Sequence, residues 1–167
     1  MTFKILRSNW VKVLIYLKKD GVCSGYMYCP NRRLLDSLNH ISPESIRDGY
    51  HSKFLQVKKA RIDCLATREV AETANIRISD ILFIRPIEPE TIPGMPGQSR
   101  RILLYLQSHV LTGQVHFNRG MHWRSVIEST LHFFPITSAE INLRISKTRY
   151  KTPFVVVNKK NVSFAEE

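Results

Sequence analysis

Residues 11–29 read VKVLIYLKKDGVCSGYMYC and contain two runs of mainly β-branched, aromatic and other apolar residues. The polar segment Lys18–Gly21, which ends in glycine, separates them. Runs of this kind on either side of a short glycine-containing turn are typical of a β-hairpin. A further glycine, Gly25, lies inside the second run, where glycine usually marks a bulge or a sharp bend. The stretch therefore predicts two antiparallel strands, the second of them bent.

The same pattern recurs in the second half of the chain. Four stretches of the first half match four of the second half in the same order: 13–17 with 102–106, 22–29 with 110–117, 54–62 with 133–141 and, with one shift, 78–84 with 157–164. Each match is weak alone, but four collinear matches predict an internal duplication. Each copy reads as strand, turn, strand, short helical or irregular segment, strand, connection and strand.

The duplication predicts the domain organisation. Proline and glycine are dense between the copies, as they are in linkers and turns. We expect one module in residues 1–88, a linker in residues 89–100 and a second module in residues 101–167. A short helix is predicted within residues 65–74, with Thr67 as a candidate N-cap. The expected fold is mostly β, with two tandem small barrels and short helical insertions.

The two copies together indicate which face of the second strand is buried. Alternate positions are apolar in both copies: Cys23, Met27 and Cys29 in the first, and Leu111, Val115 and Phe117 in the second. Because successive side chains of a strand point to opposite faces, these residues predict the core face. Ser24, Tyr26 and Tyr28 are then expected to face solvent or a partner.

Residues 11–26, with a turn glycine and a bend glycine at this spacing, resemble the first motif of Sm-like small β-barrels. Residues 133–141, followed by residues 152–162, are similar to a group of uncharacterised short bacterial Sm-like proteins. The resemblance implies two such barrels in tandem. The Arg-Gly pair of the second Sm motif is absent, because Pro86 follows Ile84 and Arg85. The RNA-binding residues of Sm rings are therefore not carried over to this chain.

The chain of 167 residues is strongly basic, with 25 Lys and Arg against 14 Asp and Glu and a formal net charge of +11. Residues 1–88 hold 15 basic and 9 acidic residues, and residues 89–167 hold 10 and 5, so the excess is spread over both copies. Such a charge favours an anionic partner, either nucleic acid or an acidic protein or membrane surface.

Motifs for catalysis are lacking in the sequence, which has no glycine-rich phosphate loop, catalytic-triad order or paired-carboxylate pattern. Its histidines and three cysteines do not have the spacing of a zinc site. We expect no enzyme activity, no metal and no cofactor. Three cysteines are too few for a disulfide framework, and the sequence has neither a signal peptide nor an apolar run of about 18 residues. A cytoplasmic location is predicted, peripheral at most to a membrane or a large complex.

Basic clusters carry the strongest functional signal. Residues 143–160 hold six basic residues and no acid, with Tyr150 among them. A basic loop of this kind at residues 144–152 suits phosphate contacts, with a ring on which a base can stack. Nucleic-acid or anion binding is assigned to Arg144, Lys147, Arg149, Tyr150 and Lys151, together with Arg32, Arg33 and Tyr28. A third cluster comprises Lys58, Lys59 and Arg61. The alternative is that these side chains only solvate strand edges and prevent aggregation.

Trp10 and Trp123 are candidate protein-interface residues, although packing of Trp123 onto its own barrel is the alternative for that ring. We expect the chain to be a non-catalytic binding or assembly module with RNA or another nucleic acid as its ligand. The competing hypothesis is a structural subunit that joins a larger protein assembly through sheet edges and exposed aromatic side chains, at an acidic membrane face.

Overall fold

The computed structural model describes residues 9–29, 34–39, 54–64, 67–87, 97–130, 132–143 and 147–166. The first half contains β1 (Trp10–Leu17), β2 (Val22–Tyr28), α1 (Leu34–Asn39), β3 (Phe54–Cys64), β4 (Thr67–Arg77) and β5 (Ile81–Pro86). The second half contains β6 (Gln98–Leu106), β7 (His109–Phe117), α2 (Trp123–Ser129), β8 (Phe133–Leu143), β9 (Arg149–Asn158) and β10 (Phe164–Glu166). Single 3₁₀ turns span Lys18–Asp20, Ile78–Asp80 and Lys159–Asn161.

All ten strands belong to one sheet, in the order β10-β6-β7-β8-β9-β5-β1-β2-β3-β4. Every pairing is antiparallel, and the two halves meet where Phe83 and Ile84 of β5 pair with Val157 and Val156 of β9. The prediction of a mostly β chain is confirmed. Among the described strands the sheet is open, with β10 and β4 at its ends, so their pairing does not close the two predicted barrels.

The two halves use the same strand order and the same register. In the first half Phe54 of β3 lies opposite Arg77 of β4, and in the second half Phe133 of β8 lies opposite Asn158 of β9. A 3₁₀ turn follows β4 and β9 in each case. Three pairs of corresponding positions follow from these registers: Phe54 with Phe133, Thr73 with Phe154, and Asn75 with Val156.

Each of the two hydrophobic core clusters contains residues from both halves. Strand β5 sends Ile81 and Ile84 into the first cluster and Leu82 and Phe83 into the second. The first cluster is otherwise built mainly from the first half, but it also contains Phe133, Phe154 and Val156. The second cluster is built mainly from β6 to β9 and α2, and it also contains Tyr16. The β5–β9 junction is therefore part of the protein interior.

The predicted core face of the second strand is confirmed in both halves. Cys23, Met27 and Cys29 are at most 1% exposed, and Leu111 and Val115 are fully buried. Phe117 is partly buried against the second core cluster. The opposite face of β2 is outward, as predicted.

The strands bend at the two glycines. Pairing between β2 and β3 shifts register between Ser24 and Tyr26, on either side of Gly25, and pairing between β7 and β8 shifts in the same way around Gly113. The extra residues are Lys59 and Ser138, each in the left-handed region with φ of 48°. A β-bulge of this kind increases the local bend and twist of a strand.

Glycine is required at these bends because the bulged strand approaches closely. A Cβ built on Gly25 would lie 2.4 Å from Cγ1 of Val57 and 2.8 Å from the carbonyl oxygen of Lys58. A Cβ on Gly113 would lie 2.3 Å from Cγ2 of Ile136, in the equivalent place. These distances are shorter than van der Waals contact, so a side chain forces the two strands apart.

Two predictions of local structure are wrong: the helix within residues 65–74 and the end of the linker at residue 100. Residues 67–74 form part of β4 rather than a helix, because they pair with β3 along its length and include the β-branched residues Thr67, Val70 and Thr73. β6 begins at Gln98, so residues 98–100 of the predicted linker are strand residues paired with β7. Residues 89–96 of that linker lie outside the described residues.

We expect Gly25→Ala and Gly113→Ala each to lower the free energy of unfolding by about 1–3 kcal/mol, because the added methyl group overpacks the bend. Gly97→Ala is the matched control, since a Cβ there would have no atom within 4 Å. Urea denaturation followed by circular dichroism measures all three variants. Equal midpoints for the bend variants and the control would contradict the packing argument.

Candidate functional site

The outer surface of the β1–β2 hairpin and β3 combines aromatic rings with lysines, and we call Trp10, Lys12, Tyr26, Tyr28 and Lys58 the aromatic–basic face. Three cross-strand pairs form it: Trp10 with Tyr28, Lys12 with Tyr26, and Tyr26 with Lys58. All five side chains point away from the core because they alternate with the buried residues of their strands. The hairpin register thus places rings and cations next to one another.

The contacts within the aromatic–basic face are specific. Nζ of Lys58 lies 4.4 Å from the centroid of the Trp10 ring, which is within cation–π range. The rings of Trp10 and Tyr28 meet edge to face, with centroids 5.5 Å apart and an interplanar angle of 61°. Nζ of Lys12 lies 6.0 Å from the centroid of Tyr26. Tyr28 is 52% exposed, so about half of this side chain is accessible to a ligand.

The electrostatic character of this face is positive. Lys59 and Arg61 are exposed on β3 beside Lys58. Among the described outward residues of β1, β2 and β3, Asp63 is the one acid, and its carboxylate accepts a hydrogen bond of 2.8 Å from Nε of Arg68. A polyanion would therefore meet four lysine or arginine side chains and no unpaired acid at the described outward positions of β1 to β3.

The described part of the predicted basic loop, residues 147–152, is strand from Arg149 onward. Arg149, Tyr150 and Lys151 belong to β9, where Lys151 lies opposite Glu140. Glu140 also forms an ion pair with Arg149, at 3.7 Å between Nη1 and Oε1. Tyr150 is on the opposite face of the strand from its two basic neighbours. The Tyr150 ring and the two basic side chains therefore lie on opposite faces, and Glu140 partly neutralises the basic charge.

The remaining predicted binding residues have different outcomes. Lys147 is exposed at the start of the described part of this segment. Arg144, Arg32 and Arg33 lie outside the described residues. Tyr28 is part of the aromatic–basic face.

The two tryptophans also differ. Trp10 is half-buried in the aromatic–basic face, in contact with Lys58 and Tyr28. Trp123 is the first residue of α2 and is only 2% exposed, because its ring packs in the second core cluster. Trp123 therefore stabilises the second core cluster rather than forming an exposed interface.

Sequence reasoning missed Lys12 and the partnership of Lys58 with Trp10. The position of Lys12 could have been predicted from the hairpin register. With the turn at residues 18–21, Trp10 lies opposite Tyr28 and Lys12 lies opposite Tyr26. The position of Lys58 depends on the β3 bulge at Lys59, which alternation alone does not reveal.

The junction between the halves is held by side-chain amides as well as by strand pairing. Nδ2 of Asn158 donates to the carbonyl oxygens of Ile78 and Ile81, at 3.1 and 3.0 Å. Nδ2 of Asn161 donates to the carbonyl oxygens of Ser79 and Ile81, at 3.0 and 2.7 Å. The 3₁₀ turn after β9 therefore docks on the 3₁₀ turn after β4.

His109 is buried in the same junction. Its ring is 2% exposed and meets Tyr16 and Phe83 edge to face, with centroids 5.7 and 5.4 Å away. Ser108 next to it donates a hydrogen bond to the carboxylate of Asp20. Burial lowers the pKa of His109, and the nearby Asp20 opposes that shift without overcoming it. Burial therefore favours the neutral imidazole beside these two rings, which stack on each other with centroids 4.3 Å apart.

Metal binding and thiol reactivity depend on how the titratable side chains are placed. Within the described ranges, no group of three His, Cys, Asp or Glu side chains is placed to hold a metal ion. Burial raises the pKa of the Cys23 thiol to about 11, so this thiol is protonated near neutral pH and is a poor nucleophile. No helix among the described residues is long and apolar enough to span a membrane.

Comparison with protein families, curated proteins and solved structures gives no match to this chain.

We expect the stability of the fold to fall as the pH drops below about 6.5, the ordinary pKa of histidine. Above that pH both the folded and the unfolded chain hold His109 neutral, whereas below it the unfolded chain takes up a proton that the buried ring resists. His109→Gln reduces the loss of unfolding free energy between neutral and mildly acidic pH. Urea denaturation at both pH values measures it.

His122→Gln serves as the control for the loss of an exposed histidine. Because Nδ1 of His122 accepts the N-cap hydrogen bond from the Arg124 N–H, the control compares the pH dependence and not the absolute stability. The same pH dependence in the wild-type chain and in His109→Gln would show that the junction histidine does not govern it.

Proposed function

We propose that the chain is a non-catalytic assembly subunit whose copies join head to tail through the free edges of β4 and β10. In this proposal the two halves are duplicated Sm-like small-barrel modules, and the contact between modules within one chain is repeated between chains. The single observation that carries it is the β5–β9 junction, where the last strand of one half pairs with the fourth strand of the other.

The free edges are the counterparts of the edges used in that junction. β4 corresponds to β9, because each is the fourth strand of its half and has the same register with the third. β10 corresponds to β5, because Phe164 and Ala165 pair with Tyr105 and Leu104 of β6. The equivalent pairs in the first half join β5 to β1. A β4 edge therefore offers a second copy's β10 the same backbone arrangement that β9 offers β5.

The exposed apolar surface of the first half supports this arrangement. Phe133, Phe154 and Val156 are at most 4% exposed, because the first half of the chain covers them in the first core cluster. Phe54, the counterpart of Phe133, is 48% exposed, and Thr73 and Asn75 are also exposed. A second copy on the β4 edge would cover Phe54 as the first half covers Phe133. The more polar Thr73 and Asn75 make that contact weaker than the internal one.

The interface is heterologous, since β4 of one copy meets β10 of the next. A heterologous contact repeats from copy to copy and gives either a closed ring or an open filament. The structure of one chain supports the contact itself, and the solution mass distinguishes these two products.

Phe54→Gln should move self-association to a protein concentration about tenfold higher, because an apolar ring of this size contributes about 1–2 kcal/mol when it is half covered. The fold should be unaffected, since the ring is exposed in the single chain. Size-exclusion chromatography with light scattering, over a series of concentrations, gives masses in multiples of 19.4 kDa.

Val70→Gln is the matched control for this variant. Val70 is 74% exposed on the same edge, but its counterpart Lys151 remains exposed beside the internal junction. Loss of association in Val70→Gln but not in Phe54→Gln would refute the proposed contact, as would a wild-type chain that is monomeric at every concentration.

Charge exchange tests the orientation of the contact. In the internal junction Asn161 binds the carbonyl oxygen of Ser79, and their counterparts between copies are Asp80 and Lys160. Asp80→Lys and Lys160→Asp should each weaken association a few-fold, since an exposed pair contributes about 0.2–1 kcal/mol. The double variant should recover association. The same masses are measured, and additive weakening in the double variant would rule out this head-to-tail register.

A further inference from the structure

The geometry points to a binding site for single-stranded nucleic acid on the aromatic–basic face. This inference goes beyond assembly and does not depend on it, since it uses the outer surface of β1 to β3 rather than the edges of β4 and β10. Three observations carry it: the alternation of rings and cations, the exposure of Tyr28 and the charge balance of the surface.

Rings and cations occupy two neighbouring cross-strand rows of this face, and they alternate within the second row. Trp10 and Tyr28 form one cross-strand row, and Lys12, Tyr26 and Lys58 form the next. Neighbouring strands are about 4.8 Å apart, so in the second row a cation lies one strand away from the Tyr26 ring on either side. A single-stranded polynucleotide presents both bases and phosphates and can therefore contact both rings and cations. Single-strand binding surfaces join stacking rings to a basic path along the backbone in this manner.

The ligand must be single-stranded because the rings can stack only on the open face of a base. In a duplex the base faces are already covered by their neighbours, and the base edges lie in grooves that the broad outer face of a three-stranded surface does not enter. The ring of Tyr28 is 52% exposed and adjoins Trp10, so the two rings can receive an unpaired base.

Lys58 has a defined role in this arrangement. Its ammonium lies over the Trp10 ring at 4.4 Å, where a stacked base would lie. An incoming base displaces the ammonium from the ring, and the flexible side chain can then meet the adjacent phosphate. The cation–π contact thus keeps the ring covered in the absence of a ligand and supplies a charge in its presence.

The second half of the chain lacks this site at the corresponding surface. Ser99 and His116 stand where the first half has Trp10 and Tyr28, because they form the equivalent cross-strand pair. Nε2 of His116 lies 2.6 Å from Oγ1 of Thr137, and Thr137 is 8% exposed at the position of Lys58. The site therefore belongs to the first half alone among the described surfaces.

The test measures binding of a fluorescein-labelled single-stranded oligouridylate and of a duplex of the same length, by fluorescence anisotropy at several salt concentrations. Tyr28→Ala should weaken binding of the single strand about tenfold through lost stacking. Lys58→Gln should weaken it and reduce the slope of log K against log salt by about 0.7, the value for one phosphate contact on a single strand.

Two controls are matched to these variants in chemistry and exposure. Tyr150→Ala removes a tyrosine that is 40% exposed, and Lys147→Gln removes an exposed lysine, and both lie outside the aromatic–basic face. Neither should change affinity by more than about twofold. If these two variants lose binding and the face variants keep it, the segment at residues 144–151 is the site and the inference is wrong.

Binding to the duplex and binding to lipid vesicles give two further outcomes that would overturn the inference. Equal affinity for the duplex would show general electrostatic attraction without a stacking site, and would overturn the inference. So would binding to vesicles of anionic phospholipid in the absence of binding to the oligouridylate.

Unfolding midpoints of the variants establish that they are folded. Lys58→Gln is at an exposed position, so this variant keeps the test valid if Tyr28→Ala is destabilised. Light scattering on the same samples separates a failure of this site from a failure of assembly.

Discussion

Burial of the β5–β9 junction is the constraint on which the rest of the structure depends. Neither strand has a solvent-exposed face near this contact, because Ile84 and Val156 lie in one core cluster while Phe83 and Val157 lie in the other. Both clusters therefore need both halves of the chain. In the second half alone, Phe154 and Val156 would lie on an edge strand. They are interior residues because the first half covers them.

The bends at Gly25 and Gly113 make this burial possible. A flat five-stranded unit would expose one face of every strand, whereas a bulge opposite each glycine bends the third strand toward the core. The same bulge exposes both Lys58 and Lys59, one after the other, on the outer surface. One backbone irregularity therefore shapes the interior and determines the charge of the exterior.

The sequence predicted the strands and their buried faces because alternation and glycine positions are local signals. The helix predicted in residues 65–74 failed because Thr67 and Val70 are compatible with a cap and a helical face, and only pairing with β3 distinguishes the alternatives. The aromatic–basic face was found in part, since Tyr26 and Tyr28 follow from strand alternation. Its link to Lys58, like the burial of Phe133 by the other half, depends on contacts between segments far apart in sequence, which no local pattern contains.

The differences between corresponding positions indicate how two similar halves take different roles. Phe154 and Val156 of the second half are covered by the first half. Their counterparts in the first half, Thr73 and Asn75, are exposed and polar. Where the outer face is open, the first half has Trp10 and Tyr28 in place of Ser99 and His116. A permanent internal contact favours apolar side chains, whereas the contact that we propose between copies is reversible and must leave the single chain soluble. The polar Thr73 and Asn75 at the β4 edge are consistent with that proposal, and Phe54 would be its one apolar anchor.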